Sequence, residues 1–174
     1  MIPFGEYADR VARHIETHYG VRIVIRDIPD PLTGDLNGAE IHIDDAVSEE
    51  QRLFLLVHLF GHTVQWNIDP AAYDLGQPQR PPVATERLPA LMEYEQQAAR
   101  YALGLLHELG IRDADQWLSD YATCDQAYLR QYYLFGERLE FEKFWKPGSR
   151  CVGAMPIPAF TPVRRSFRSD GIVI

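Results

Sequence analysis

Residues 48–66 read SEEQRLFLLVHLFGHTVQW, and this stretch decides how the rest of the chain is understood. Ser48 followed three residues later by Gln51 is a capping box, in which side chain and backbone satisfy each other's free N–H groups at a helix start. Behind it Leu53, Leu56, Val57, Phe60 and Val64 recur at three- and four-residue steps, which predicts a helix over about 49–66. His58 and His62 are four apart on it. One helical turn rises about 5.4 Å, so both imidazoles leave the same face and can chelate one ion. They sit in an otherwise apolar run, where unpartnered polar groups are costly. Gly61 beside them sacrifices about 1 kcal/mol of helix propensity, a cost that a close neighbour would explain.

Beyond this helix, Asn67 to Arg87 holds four prolines and one glycine and is read as a long irregular loop. A second strong helix is expected near Pro89 to Leu109, with Pro89 in its first turn and Gly110 ending it. It offers carboxylates at Glu93 and Glu95. A third helix is expected over about Asp113 to Phe135, with Trp117, Tyr121, Cys124 and Tyr128 as its apolar stripe. The tail after Lys146 is rich in Pro and Gly and should wrap the surface; Arg164, Arg165 and Arg168 form a small basic cluster there.

Upstream, Phe4, Tyr7, Val11, Ile15 and Tyr19 mark one face of a helix over about 4–19, closed by Gly20. His14 and His18 on it imitate a ligand pair, but nothing nearby completes a site, so they are read as surface. Residues 21–27 alternate, with Val21, Ile23 and Ile25 facing one way, as a half-buried strand does. Pro29, Pro31, Gly34 and Gly38 make a loop. Residues 39–44 alternate again, with Ile41 and Ile43 inward and His42 on the polar face. The order predicts an α+β fold: a small sheet flanked by helices, with a helical C-terminal extension.

The segment Leu55–His62, together with Glu95-Gln96-Gln97-Ala98-Ala99-Arg100-Tyr101-Ala102 and Leu105-Leu106, resembles the ImmA/IrrE family of zinc metallopeptidases. That family carries HExxH on one helix and Glu-x-x-Ala-Asn-x-Phe-Ala-x-x-Leu-Leu on the next. The resemblance covers roughly residues 1–109. It implies a zincin-like minimal domain over 1–110, with the helix and irregular tail of 111–174 packed on the same domain. It also implies Glu95 as third ligand beside His58 and His62, and one zinc ion as cofactor. Spacing agrees: Ala98 and Ala99 lie on the face of Glu95 and let the two helices approach, whereas Glu93 is about 200° around the helix. Two imidazoles and a carboxylate suit Zn²⁺; Fe²⁺ and Mn²⁺ also accept this donor set.

One departure bears on activity. In HExxH enzymes the glutamate after the first histidine is the general base, and Leu59 stands in its place. General acid–base catalysis is worth about 10²–10⁴-fold, so hydrolysis by the family route should be severely weakened. Ala99 also replaces the family's Asn, which would loosen the site. A relocated base, Glu93 or Glu86, is the alternative for an active zinc endopeptidase. His107-Glu108 begins another HExxH, but position 111 is Ile, so no second motif forms.

The functional expectation is a metal-binding, metallopeptidase-like pseudoenzyme with a regulatory or binding role. Family members act on helix-turn-helix repressors, so the resemblance implies a protein or peptide partner of that kind. A metal-free interaction module, presenting the aromatic third helix with Tyr132 and Tyr133, is the third reading. The net charge of −8 opposes a broad nucleic-acid footprint. Cys124 and Cys151 lack CxxC spacing, and Cys124 falls in an apolar stripe, as a core thiol does. No stretch approaches the roughly 20 apolar residues of a membrane span, and the N-terminus lacks a leader pattern; a soluble cytoplasmic protein is expected.

Overall fold

The computed structural model describes residues 1–165; Arg168 of the tail cluster lies outside them. The chain forms α1 (Phe4–His14), β1 (Arg22–Arg26), β2 (Gly34–Leu36), β3 (Glu40–Asp44), α2 (Glu49–Ile68), α3 (Pro70–Leu75), α4 (Leu88–Glu108) and α5 (Asp115–Phe135). The result is a small α+β fold, a three-stranded mixed sheet flanked by helices. No helix among the described residues is long and apolar enough to cross a membrane.

Helix α2 is the centre of the molecule. Its capping box is present, with Ser48 and Gln51 bonding reciprocally, and every residue from Leu53 to Trp66 is buried. It has no solvent face over that stretch because α1, the sheet and α4 each pack on a different side of it. A helix apolar all round is a buried helix, and the run of Leu, Phe and Val around the two histidines is explained by that position.

The sheet has order β1-β3-β2, with β1 parallel and β2 antiparallel to β3. Ile41 and Ile43 are buried on its inner face, as the alternation predicts. Strand β2 falls where a loop was expected. Its Gly-Asp-Leu composition is poor in β-formers, and pairing with β3 rather than local propensity makes the strand. In β1 the alternation holds only in part: Val21 is buried just before the strand, but Ile25 is exposed at the sheet's edge. His42 is not an open surface residue. It is half-buried between Arg26, whose Nε donates to Nδ1 at 2.9 Å, and Glu40, at 3.0 Å from Nε2.

Three other expectations are corrected. The first helix does not run uniformly to Tyr19; residues 15–19 form a π-helical turn before Gly20 takes a positive φ. The 67–87 segment contains α3, whose Asp69 cap accepts from Ala71 N, and a 3₁₀ turn at 85–87. The aromatic stripe of α5 is core: Trp117 packs on Phe4, Tyr121 on Phe54 and Tyr128 on Phe141. These rings pack inside the chain, whereas Tyr132 and Tyr133 are half-buried.

The tail is irregular but tied down. Val152 N donates to Ser119, Met155 N to the Arg100 carbonyl and Val163 N to Asn67, so it runs over α5, α4 and the end of α2 in turn. Gly104 of α4 lies directly under the Met155 carbonyl, where any side chain would collide.

Candidate metal centre

The two imidazoles and the carboxylate meet in the core. His58 Nε2 and His62 Nε2 are 3.2 Å apart, His62 Nε2 and Glu95 Oε2 3.1 Å, and His58 Nε2 and Glu95 Oε2 3.6 Å. All three residues are buried, and together they form a group that could hold a metal ion. Donors about 2.0–2.2 Å from a tetrahedral ion are separated by about 3.3–3.6 Å along each edge. Of the three observed separations, 3.6 Å falls on that range and 3.2 and 3.1 Å lie about 0.1–0.2 Å below it.

Local sequence explains the convergence. The four-residue spacing of His58 and His62 puts both rings on the α4 side of α2, with the ring planes perpendicular (89°). Gly61 is the contact point between the helices: an added Cβ would meet the Ala98 carbonyl, standing 2.9 Å from both its carbon and Cα. Ala98 and Ala99 supply the small side chains on α4. Backbone against backbone at this crossing brings Glu95, one turn before Ala98 and Ala99, to the histidines.

Hydrogen bonds fix which nitrogen faces the centre. Gln65 Nε2 donates to the Tyr94 carbonyl at 2.9 Å and to Gln97 Oε1 at 2.8 Å, so its Oε1 must accept. The group it faces is His62 Nδ1, at 2.8 Å. His62 therefore carries its proton on Nδ1 and turns the Nε2 lone pair toward His58 and Glu95. A lone pair 3.1 Å from a carboxylate oxygen is repulsive unless a cation or a proton lies between them. Metal-binding histidines are commonly oriented by such a bond to the distal nitrogen. Tyr94 stacks on the His62 ring (4.4 Å, 24°), and Phe54 stacks on His58 (5.1 Å, 18°). Burial, and next the neighbouring His62, hold the His58 pKa down to about 3, with Glu95 opposing. His58 is thus neutral near pH 7, the state in which imidazole binds metal.

The other candidates lie elsewhere. Glu86 and Glu93 are exposed and are not among the clustered donors. His14 is bonded to Glu108 at 3.0 Å and stacked on the exposed His18. His107 sits against Asp115 at 2.9 Å. Leu59 is fully buried beneath β2, where a Cβ on Gly34 would stand 2.9 Å from its Cδ1. A second acidic group, Asp27, Asp44 and Asp45, is mostly exposed, and Asp44 accepts from Ile28 N.

Two buried polar residues on these helices, Gln65 and Asp125, were not singled out from sequence. Gln65 is an amide three residues past His62 inside an apolar run. Asp125 is an acid on the stripe of α5, one turn after Tyr121. In each case the signal was a polar side chain where the periodicity demands an apolar one. Compared with known proteins, the chain matches no family model, no curated protein and no solved structure.

Proposed function

We propose that the chain is a zinc-binding, metallopeptidase-like protein of the ImmA/IrrE type, with weak or no peptidase activity, that acts by binding a protein or peptide. The observation that carries this reading is the spacing of His58 Nε2, His62 Nε2 and Glu95 Oε2, 3.1–3.6 Å, with the tautomer of His62 set by Gln65. Two imidazoles and one carboxylate are a donor set of zinc enzymes. A divalent ion in such a site supplies Lewis acidity toward a carbonyl or a water molecule.

The chain's own residues provide little else for hydrolysis. Leu59 neither accepts nor donates a proton, and its side chain is packed under β2. Glu86 and Glu93 are exposed and stand outside the donor cluster. The ligands are covered by Tyr94, Phe54 and the stripe of α5. A buried centre of this kind braces α2 against α4. The outer surface would then bear the binding role, with a helix-turn-helix repressor as the partner class suggested by the motif resemblance.

The test is metal analysis of untagged protein together with a peptide-cleavage assay. About one zinc per chain, lost in His58→Ala and Glu95→Ala, with no chelator-sensitive cleavage, is the expected result. Chelator-sensitive turnover by the native protein would establish an active endopeptidase instead. A site that stays empty on zinc addition would leave a metal-free module, with a proton in place of the ion between His62 and Glu95.

A further inference from the structure

Asp125 is a carboxylate in the wrong place for a purely structural role. It lies on the buried face of α5 with 1 % of its surface exposed, and its Oδ1 has no hydrogen-bond partner. A buried carboxylate without donors is among the costliest groups a core can hold. The sequence offers no local relief, since Cys124 and Gln126 engage other partners, the Phe141 carbonyl and Gln96.

Two contacts of neighbouring residues lead from α5 toward the metal centre. Tyr121, one turn earlier, stacks on Phe54 (3.9 Å), and Phe54 stacks on His58. Gln126, the next residue, donates to Gln96, the residue after Glu95, at 2.8 Å. These two contacts bracket Asp125 between the His58 side and the Glu95 side of the cluster. Burial raises its pKa well above the usual carboxylate range, and the charge that adds to this is Glu95, an acid of the same sign. Ionised together, the two buried carboxylates would carry two negative charges into the core. One divalent ion cancels two carboxylates.

We propose that Asp125 is the fourth protein group of the metal centre, the second carboxylate that balances the charge of a bound divalent cation. The three donor atoms of His58, His62 and Glu95 make the tight cluster, all within 4.8 Å of one another, and Asp125 is not among them. Its contribution is that of an outer carboxylate, delivered through space or through a water molecule. This inference rests on the zinc reading above and adds to it that α5 belongs to the centre.

The experiment compares wild type, Asp125→Asn and His58→Ala by competition titration with Zn²⁺ and a chromophoric chelator, and by thermal unfolding with and without zinc. Asparagine keeps the shape and removes the charge; Asp125→Ser, smaller and neutral, serves if the asparagine variant does not fold. Loss of an outer-shell partner costs about 10–100-fold in affinity. Asp125→Asn should therefore bind zinc at least about tenfold more weakly. It should also gain less from zinc in thermal unfolding than wild type does. Affinity equal to wild type would overturn the proposal while leaving the three-ligand site intact. A lower melting temperature in both states would assign Asp125 a packing role and overturn it too. Wild type and His58→Ala that both fail to bind zinc would instead overturn the site itself.

Discussion

Replacing Gly61 by alanine tests whether the metal centre depends on the closeness of two backbones. Elsewhere in a helix interior Gly→Ala gains about 1 kcal/mol of propensity. At Gly61 the new methyl would stand 2.9 Å from the carbonyl carbon and Cα of Ala98. Carbon atoms rest in contact at about 3.5 Å or more, so α2 and α4 must separate by at least about 0.6 Å. The obstacle is main chain inside a helix and has no rotamer to swing away. Overpacking of this kind costs about 1–3 kcal/mol, which outweighs the propensity gain or at best cancels it. The metal centre is less tolerant. Ligand distances must hold to within about 0.2 Å, and Glu95 is one turn from the displaced contact. Zinc affinity should fall at least tenfold, about 1.4 kcal/mol. Chelator competition measures the affinity, and denaturant unfolding of the metal-free protein measures the stability. Gly153→Ala, where nothing lies within 4 Å of the new methyl, is the control and should change neither. A Gly61→Ala protein that is about 1 kcal/mol more stable and binds zinc like wild type would refute the claim that this glycine exists for the helix crossing.

Further outcomes follow from the same geometry. Leu59→Glu restores the residue that HExxH enzymes carry, yet it should destabilise the metal-free protein by more than about 3 kcal/mol, from lost apolar burial and a desolvated carboxylate; unfolding at pH 7 checks this, and a fully stable variant would show that position 59 can reach water. Gln65→Leu removes the acceptor at His62 Nδ1 and the donor to Tyr94 and Gln97, so zinc affinity should fall about 10–100-fold, measured by the same competition assay; an unchanged affinity would mean that the tautomer is set elsewhere. The His58 pKa is lowered to about 3 from an ordinary 6.5, so between those values the unfolded chain binds the extra proton. Stability of the metal-free protein is then full above pH 6.5 and lost as pH falls toward 3, with a slope approaching about 1.4 kcal/mol per pH unit. Unfolding from pH 4.5 to 7.5 should show that slope in wild type and a shallower one in His58→Gln; parallel curves would count against a neutral buried His58.

The parts of this molecule visible in its sequence are those where one local rule suffices. The capping box at Ser48, the apolar steps of α2 and the break at Gly20 each act through neighbours in the chain, and each stands where it was expected. Glu95 was reachable through the motif resemblance, with which the small residues on its helix face agree. What stayed hidden depends on contacts from afar. Strand β2 has no propensity of its own and exists through β3. The segment after Asn67 carries prolines that read as loop, yet Asp69 and Pro70 are also the cap and first residue of a short helix. The face of α5 was identified, but not what covers it: whether Trp117, Tyr121 and Tyr128 meet a partner or the chain itself is a tertiary fact.

Position 59 shows why the missing base is not a single-residue matter. Its neighbours are Leu55 on the preceding turn and Gly34 of β2, whose Cα lies over the leucine methyl. Leucine fills that space with apolar atoms, and the sheet rests on it. A glutamate there would have to leave its carboxylate between strand and helix or push β2 aside to reach water. Either movement disturbs the edge of the sheet that packs on α2. The same burial that excludes a base at 59 keeps His58 neutral and gives Glu95 and a divalent ion a low-dielectric setting in which their attraction is strong. The environment of Leu59 therefore suits the proposed reading of a site that would hold a metal without a base beside it. A glutamate at this position would need β2 to change along with the residue.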